Sequence, residues 1–312
     1  MTDEYSVSGT ALTGDFLEAQ NVTITVKNGI ITAVEEEKRS SPYWICPAFF
    51  NAHTHIADTV AMDISCRGTL EELVTPPFGL KHRILGQTPG PELIRAMRGT
   101  INEMITSGTA GFADFREGGV KGVAALKKAA EKLPIRPIIL GRAGGESVSD
   151  GAGISSVRDT CYSSDIISRM KKDGKIVAFH AGEKDSGDIE DALDTEPDLL
   201  VHCTHATKRQ IRMIADAGIP VTVCCRSNFL LEVTRGRRHP PIREMLEAEI
   251  PVLIGTDNAM FVQPDMWQEM AFIHTVYGIS EKSILTSATS GFAPAGIEHT
   301  IMPGNIARFF VL

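Results

Sequence analysis

The chain has 312 residues, of which 43% are hydrophobic and 22% charged, as expected for a globular protein with a sizeable core. Its net charge of −8 and the lack of any basic run longer than 235–238 argue against nucleic-acid binding. No apolar stretch reaches the roughly 18 residues of a membrane helix. Its cysteines are scattered without a CxxC pair, which argues against a disulfide framework and a thiolate zinc site, so we expect a cytoplasmic protein.

The first 48 residues predict a small β unit, because short alternating runs are broken there by Asn-Gly and Pro. The Asn28-Gly29 step between two such runs is a hairpin signal. A last short strand is predicted within 303–312, after a Pro-Gly turn, and we expect it to pair with the N-terminal strands. We therefore predict a small β unit over 1–48, joined by 303–312, and a second domain over 49–302.

Apolar runs alternate with helical patterns between these two ends. Eight runs are candidate strands: 44–50, 109–115, 135–140, 151–157, 175–180, 199–203, 220–225 and 251–256. Most of the segments between them have apolar residues at helical spacing, and several end on glycine, the usual residue after a helix. Continuous apolar strands alternating with helices indicate a parallel sheet covered by helices. Eight such strands predict an α/β fold, a closed (β/α)8 barrel of the TIM type.

Polar residues follow several of these strands, at the end where such a barrel carries its functional groups. His53 and His55 come one residue apart after the first run, and an extended backbone aims both side chains the same way. Further polar residues follow the fifth, sixth and eighth strands: His180, Glu183, His202, His205 and Asp257.

Each of these residues alone also has a structural explanation. A single histidine at a strand end is usually a hydrogen-bonded structural residue, and an aspartate after a strand is commonly a helix N-cap. Together, however, three histidine positions and one aspartate converge on one barrel mouth. Three nitrogen ligands and one oxygen ligand suit a borderline divalent metal such as zinc. We therefore predict a metal site.

The motifs that carry these residues resemble those of the amidohydrolase superfamily. They occur in the family's order: CPAFFNAHTH (46–55), HAGE (180–183), HCTH (202–205), SN (227–228) and TDNA (256–259). The resemblance runs from about Pro47 to Asp257. The HxxE motif makes it closest to the cytosine deaminase and adenosine deaminase-like branch, to which chlorohydrolases are related. One departure lies at the end of the chain, where Arg308 replaces the acidic residue of the family ending.

The resemblance implies a role for each matching residue. It implies four metal ligands: His53, His55, His180 and Asp257. Glu183 matches the carboxylate that shuttles protons, and His202 matches the histidine that polarises the attacking water or the substrate. Asp257 can also accept the proton of that water. The candidate catalytic residues are therefore Glu183, His202 and Asp257.

The number of metal ions follows from a missing residue. Binuclear members of the superfamily use a carboxylated lysine from the fourth strand, and the stretch 151–160 contains no lysine. We therefore expect one divalent ion, with zinc favoured and iron or manganese left open because the same ligands accept all three. The other zinc deaminase design needs a PCxxC motif, which the chain lacks.

Substrate contacts are expected from basic residues near the barrel mouth. Arg116, Arg142 and Arg226 follow strands two, three and seven, and Glu117 follows Arg116 directly. The segment 56–85, long for a loop in such a barrel, is a candidate substrate lid. It carries His82, a further candidate contact, within a charged cluster at 81–83 that we interpret as a solvated face.

These observations favour a mononuclear metal-dependent aminohydrolase that acts on the C–N bond of an amino-substituted N-heterocycle through a metal-activated water. A related hydrolase that opens a cyclic amide or dechlorinates a heterocycle is the first alternative. A barrel that binds a metal or ligand without turnover is the second. The expected partner is a small heterocyclic substrate. A homodimer is common among relatives, although no residue here indicates one.

Overall fold

The computed structural model describes residues 3–39, 41–64, 67–158, 164–234 and 236–312. Three residues considered above, Cys66, Cys161 and Arg235, lie outside these ranges. Within the described ranges, no helix is both long enough and apolar enough to cross a lipid bilayer.

The strands of the described residues form two sheets. In chain order they are β1 (Glu4–Thr13), β2 (Glu18–Lys27), β3 (Ile30–Glu36), β4 (Trp44–Pro47), β5 (Phe49–His55), β6 (Thr109–Arg116), β7 (Arg136–Gly141), β8 (Gly151–Ile154), β9 (Ile176–Ala181), β10 (Leu199–His202), β11 (Val221–Val223), β12 (Val252–Ile254), β13 (Asp257–Asn258) and β14 (Phe309–Val311). The smaller sheet has the order β14-β4-β1-β2-β3, and the larger has the order β12-β11-β10-β9-β8-β7-β6-β5-β13.

The smaller sheet joins both ends of the chain, as the sequence predicted. β1, β2 and β3 are antiparallel neighbours, and the turn between β2 and β3 places Asn28 at φ +51° and Gly29 at φ +77°. Two consecutive positive φ values belong to the tight hairpin turn that favours Asn-Gly. β14 pairs antiparallel with β4, which sets Val311 opposite Ile45. The predicted return of the C-terminal strand is confirmed.

The larger sheet closes into the predicted barrel. β5 to β12 are parallel neighbours in chain order, and β13 continues β12 after two residues to pair with β5. The backbone between β12 and β13 bridges the seam, because the Gly255 amide donates to the Val223 carbonyl and the Thr256 amide donates to the His53 carbonyl. The eighth strand of the barrel therefore has two parts: β12 pairs with β11, and β13 pairs with β5, which closes the barrel.

The run 44–50, predicted as one strand, is divided between the two sheets. The amide of Ala48 donates to the Arg308 carbonyl at 2.9 Å, and the amide of Phe49 donates to the Gly108 carbonyl at 3.0 Å. The chain thus leaves the small sheet and enters the barrel within two residues. As a result His53 and His55 lie inside β5 instead of following it.

Helices cover the outside of the barrel. They are α1 (Leu70–Leu73), α2 (Leu80–Gln87), α3 (Gly90–Thr106), α4 (Gly119–Ala130), α5 (Ser164–Lys172), α6 (Ile189–Leu193), α7 (Lys208–Ala217), α8 (Cys225–Leu230), α9 (Ile242–Glu247), α10 (Met266–Phe272) and α11 (Glu281–Thr289). Shorter helical turns are Ile56–Ala61, Gly145–Val148, Ser186–Asp188 and Ala293–Ala295, and a π-helical turn, Ile273–Tyr277, continues α10.

Local sequence explains where such helices begin and end. α7 begins with a capping box in which the Thr207 hydroxyl and the Gln210 side chain satisfy each other's backbone amides. It ends at Gly218, whose φ of +66° is readily available to glycine. The buried side chains of α7 are Gln210, Ile211 and Ile214, the last two of which pack against the barrel. The helices thus fix the strand order that brings the polar strand ends together.

Candidate metal centre and active site

The four predicted metal ligands meet at the mouth of the barrel. Nitrogen or oxygen atoms of His53, His55, His180 and Asp257 all lie within 4.8 Å of one another, and all four residues are buried. His53 Nε2 lies 3.2 Å from Asp257 Oδ1, and His55 Nε2 lies 3.4 Å from His180 Nε2. Phe115 forms the floor, with its ring centroid 4.5 Å from that of His53 and 4.7 Å from that of His180.

The acceptor oxygens behind two of these histidines make the group fit a cation. His180 Nδ1 lies 3.1 Å from the Ile154 carbonyl, and His55 Nδ1 lies 3.0 Å from Glu117 Oε1. Both partners accept, so each Nδ1 carries the hydrogen and each Nε2 presents a lone pair. Burial lowers the pKa of both imidazoles. Two lone pairs that face each other at 3.4 Å repel unless a cation lies near both. Three imidazole nitrogens and one carboxylate form a donor set suited to a divalent metal.

Asp257 is fixed from behind by a serine of α8. Its Oδ2 accepts a hydrogen bond of 2.6 Å from Ser227 Oγ, which leaves Oδ1 toward His53. Burial opposes ionisation of Asp257, but the hydrogen bond with His53 and the electrostatic effect of the surrounding histidines together outweigh burial and hold its pKa well below the usual range. The carboxylate is therefore ionised and oriented by a neutral donor.

Glu183 reaches the same centre because of a turn after β9. Gly182 has φ +67°, and a Cβ there would lie 2.6 Å from Ile189 Cδ1, so glycine is required. The turn brings Glu183 Oε1 to 3.8 Å from His202 Nε2, and both groups lie near Asp257. Burial, reinforced by the charge of Asp257, raises the pKa of Glu183 to about 8. Both causes favour the protonated form of Glu183.

A buried ion-pair network lies behind His55. We define it by five residues: Asp58, Lys81, Asp114, Arg116 and Glu117. Lys81 Nζ lies 2.8 Å from Glu117 Oε1 and 3.0 Å from Asp58 Oδ2. Arg116 lies 2.8 Å from Glu117 Oε2 and 3.4 Å from Asp114 Oδ1. Burial opposes ionisation of Glu117, but Lys81, His55 and Arg116 outweigh it and hold its pKa well below the usual range.

The network corrects two expectations from the sequence. Lys81 was expected on a solvated face, yet it is buried between Asp58 and Glu117 and ties α2 to the barrel. Arg116 was expected to face the mouth, yet its guanidinium is buried against Asp114 and Glu117. The carboxylates that pair with Lys81 lie far from it in the chain, whereas those that pair with Arg116 lie within two residues of it. Burial of either cation would cost free energy without these partners.

A cavity of about 390 Å³ opens above the metal ligands. The predicted lid segment supplies one wall, through Leu70, Val74 and His82. The opposite wall includes Arg142, whose guanidinium donates to the Ser155 hydroxyl. His82 is held by a 3.0 Å hydrogen bond from Nε2 to the Val74 carbonyl. Two of the four candidate substrate contacts thus line the cavity.

The other candidates lie elsewhere. Arg116 belongs to the ion-pair network, and Arg226 bonds to the Gln268 side chain at 2.8 Å and to the Gln263 carbonyl at 3.3 Å. Neither lines the cavity. His205 Nε2 bonds to the Val233 carbonyl at 3.2 Å and lies outside the group of potential metal ligands in the described residues.

Sequence reasoning missed Asp58 and gave no role to Ser227 of the SN motif. Asp58 is a lone carboxylate in the run IADTVA, and Asp114 is another in TAGFADF. A carboxylate inside an otherwise apolar run is the signal that would have found both, because a buried charge needs a partner of opposite sign.

Two family models match the chain and together span the whole site. The model described as Amidohydrolase family matches residues 44–163, which include His53 and His55. The model described as Adenosine deaminase matches residues 150–300, which include His180, Glu183 and Asp257.

Individual proteins extend the comparison. A putative aminohydrolase of Methanothermobacter thermautotrophicus is 34% identical over 347 residues, covering 96% of this chain and 89% of that protein. An adenine deaminase of Sinorhizobium fredii is 26% identical over 243 residues, covering 73% of this chain and 70% of that protein. The crystal structure of atrazine chlorohydrolase TrzN from Arthrobacter aurescens TC1 complexed with zinc has a TM-score of 0.77 at 15% identity, covering 98% of this chain and 86% of that one. At such low identity this likeness shows the shared fold.

Proposed function

This chain belongs to the amidohydrolase family, and on that premise we propose that it is a metal-dependent hydrolase that removes the amino group of an amino-substituted N-heterocycle as ammonia. One observation carries the proposal: the carboxyl group of Glu183, whose pKa burial raises, lies beside a buried metal-ligand group of three histidines and one aspartate. A metal-binding protein without turnover has no need of this proton donor. The adenine deaminase and adenosine deaminase matches support the same class of substrate.

We propose one divalent ion, zinc, held by His53, His55, His180 and Asp257. Their donor atoms, three nitrogens and one oxygen, form a set that zinc accepts, and Fe²⁺ and Mn²⁺ share these preferences. β8, the fourth strand of the barrel, contains no lysine that could bridge a second ion. When bound, the ion lowers the pKa of water from 15.7 to about 7 and so makes a nucleophile available at neutral pH.

The side chains around the ligands supply the proton transfers. Glu183 donates its proton to a ring nitrogen, which makes the adjacent carbon electrophilic. Asp257 takes a proton from the attacking water and is kept in orientation by Ser227. The C–N bond to the amino group then breaks as Asp257 passes its proton to the leaving nitrogen, which completes ammonia, and Glu183 regains a proton from the hydroxyl group added to the ring. His202, buried 3.8 Å from Glu183, polarises the attacked centre.

Substrate contacts are proposed for Arg142 and His82, because both line the cavity. Arg116 and Arg226 are not proposed, since neither lines the cavity. A cavity of about 390 Å³ is large enough for a heterocycle with a modest substituent.

The test is ammonia release from a panel of aminopurines, aminopyrimidines, aminotriazines and pterins, with protein loaded separately with Zn²⁺, Fe²⁺ or Mn²⁺. We expect ammonia from at least one member, loss of activity on chelation and recovery on re-addition of metal. A chlorotriazine and a cyclic amide complete the panel, and chloride from the first or a new carboxylate from the second, without ammonia from any amino compound, would show the related hydrolase instead. Tight metal binding without turnover of any compound would contradict the proposal.

Two further expectations belong to the same proposal. We propose a cytoplasmic location, from the absence of any disulfide pattern in the sequence, and a homodimer, from its frequency among relatives. Light scattering after size-exclusion chromatography measures the mass directly, and a monomer would contradict the second expectation.

A further inference from the structure

A second cavity, of about 430 Å³, lies at the end of the barrel opposite the metal ligands. Thr109 and Arg136, the first residues of β6 and β7, contribute to it. The metal ligands lie at the other ends of the strands. Residues 307–310 of the C-terminal segment close the cavity from the side of the small sheet. We call it the arginine cavity, after Arg136 and Arg308.

The arginine cavity has positive charge without a counter-ion. Across the described parts of the chain, neither guanidinium forms an ion pair or hydrogen bond with a carboxylate. Arg308 is half-buried, and burial, followed by the charge of Arg136, lowers its pKa. By contrast, Arg116 is fully buried but has two carboxylate partners. Two like charges at one concave, partly apolar surface attract anions, because low-dielectric walls focus the field.

The rest of the lining indicates what kind of anion fits. Ile105, Ala110, Pro134 and Phe310 supply apolar surface that suits a carbon skeleton. Thr109 also lines the cavity, but its hydroxyl has almost no accessible surface there, so the two guanidiniums and the apolar side chains define the ligand.

From these contacts we propose that the arginine cavity binds a small phosphate monoester. A phosphate monoester carries a charge of about −1.5 to −2 at pH 7, which matches two guanidiniums, whereas a carboxylate neutralises only one. Arginine forks bind phosphate oxygens in pairs. Binding here does not compete with a substrate at the metal centre.

The test is calorimetric titration of the metal-loaded full chain with phenyl phosphate, inorganic phosphate and benzoate. The variants are Arg308→Gln and Arg136→Gln, with Arg212→Gln, an exposed arginine on α7, as the matched control. We expect one phenyl phosphate per chain at this cavity, and each cavity variant weakens it by about 10-fold or more, as for hydrogen bonds to charged groups. The control binds as the unmodified chain does. Thermal melts verify that the variants are folded.

Several results would overturn the assignment. Equal binding of phenyl phosphate by all variants would locate the ligand elsewhere, at the metal centre for example, and absence of binding would remove the site. If inorganic phosphate bound as tightly as phenyl phosphate, the ligand would be free phosphate and the proposed monoester would be wrong. If benzoate bound as tightly as phenyl phosphate, the argument that two guanidiniums select the higher charge of a phosphate would be wrong. The readout is binding and not turnover, so these outcomes leave the proposed function untouched.

Discussion

Two sides of the active-site cavity use charge in different ways. On one side, the ion-pair network surrounds a carboxylate with cations: Lys81 and Arg116 are both bound to Glu117, which also lies 3.0 Å from His55. On the other side, Glu183 and His202 lie 3.8 Å apart, and among the described residues no lysine or arginine forms a salt bridge with Glu183. Burial therefore raises the pKa of Glu183, whereas it fails to raise that of Glu117.

The difference separates two tasks that buried carboxylates perform in one site. A carboxylate surrounded by cations stays ionised and can only hold a neighbour in place. A carboxylate buried beside another negative charge keeps its proton and can deliver it. We therefore expect changes on the side of Glu117 to alter metal affinity and stability, and changes on the side of Glu183 to alter turnover.

The largest effect is expected where the two sides meet. His180 faces His55 on one side and His202 on the other, at ring-centroid distances of 5.5 and 5.2 Å. His180→Ala removes one of four ligands and should abolish both metal retention and turnover. Metal per chain, measured by mass spectrometry after desalting, checks this. His274→Ala, at an exposed histidine after α10, is the control and should retain full occupancy. Full metal content in His180→Ala would contradict the ligand set.

Glu183→Gln should separate turnover from metal binding. Glutamine keeps the size of the side chain but has no proton to transfer, so kcat should fall by about 10²–10⁴-fold. Metal affinity and unfolding free energy should stay close to those of the unmodified chain, because Glu183 is not one of the four ligands. Steady-state kinetics and competition with a metal indicator measure the two quantities. Glu190→Gln, which breaks an exposed pair with Arg209, is the control. Loss of metal with unchanged kcat would reverse our assignment.

The sequence analysis could bring these four residues together for a physical reason. Strand alternation and the direction of parallel strands are local and regular, so they placed His53, His55, His180 and Asp257 at one end of a barrel before any coordinates were known. The histidines of β5 were nevertheless expected after a strand. No local sequence pattern marks Ala48 as the point where the chain passes from the small sheet to the barrel, because the residues on both sides are apolar. The sheet that each residue joins is decided by its distant hydrogen-bond partner, Arg308 for Ala48 and Gly108 for Phe49.

The ion-pair network was not predictable for a related reason. Lys81 lies in a charged stretch of a long loop, where solvent exposure is the usual outcome. Its burial depends on Asp58 and Glu117, which lie far from it in the chain and approach only when α2 packs over the first two strands. Pairing between distant charges is a property of the folded state, and no single-sequence pattern encodes it.

Lys81→Met should destabilise the protein and measure the strength of the network. The substitution leaves Asp58 with no cation in direct contact and leaves Glu117 with one cationic partner, Arg116. Removing one partner of a buried pair costs about 3–5 kcal/mol of unfolding free energy. Urea unfolding followed by circular dichroism gives the difference. Lys171→Met is the matched control, because Lys171 pairs with Glu196 at an exposed site, where the cost is below about 1 kcal/mol. Equal losses in the two variants would show that burial of Lys81 contributes nothing.

Glu117→Gln should have the smallest effect of these substitutions, yet it distinguishes most sharply between the side of Glu117 and the side of Glu183. The amide can still accept from His55 Nδ1, but it lacks the charge that orients the imidazole and makes it a better ligand. Loss of such a partner typically lowers metal affinity by about 10–100-fold. Turnover at saturating metal should fall far less than in Glu183→Gln, because Glu117 supplies no proton. Metal titrations at fixed pH give the affinity, with Glu131→Gln, an exposed carboxylate paired with Lys128, as the control. If Glu117→Gln instead bound metal normally and lost kcat as severely as Glu183→Gln, both carboxylates would act on the substrate, and the division between a holding side and a proton-donating side would be wrong.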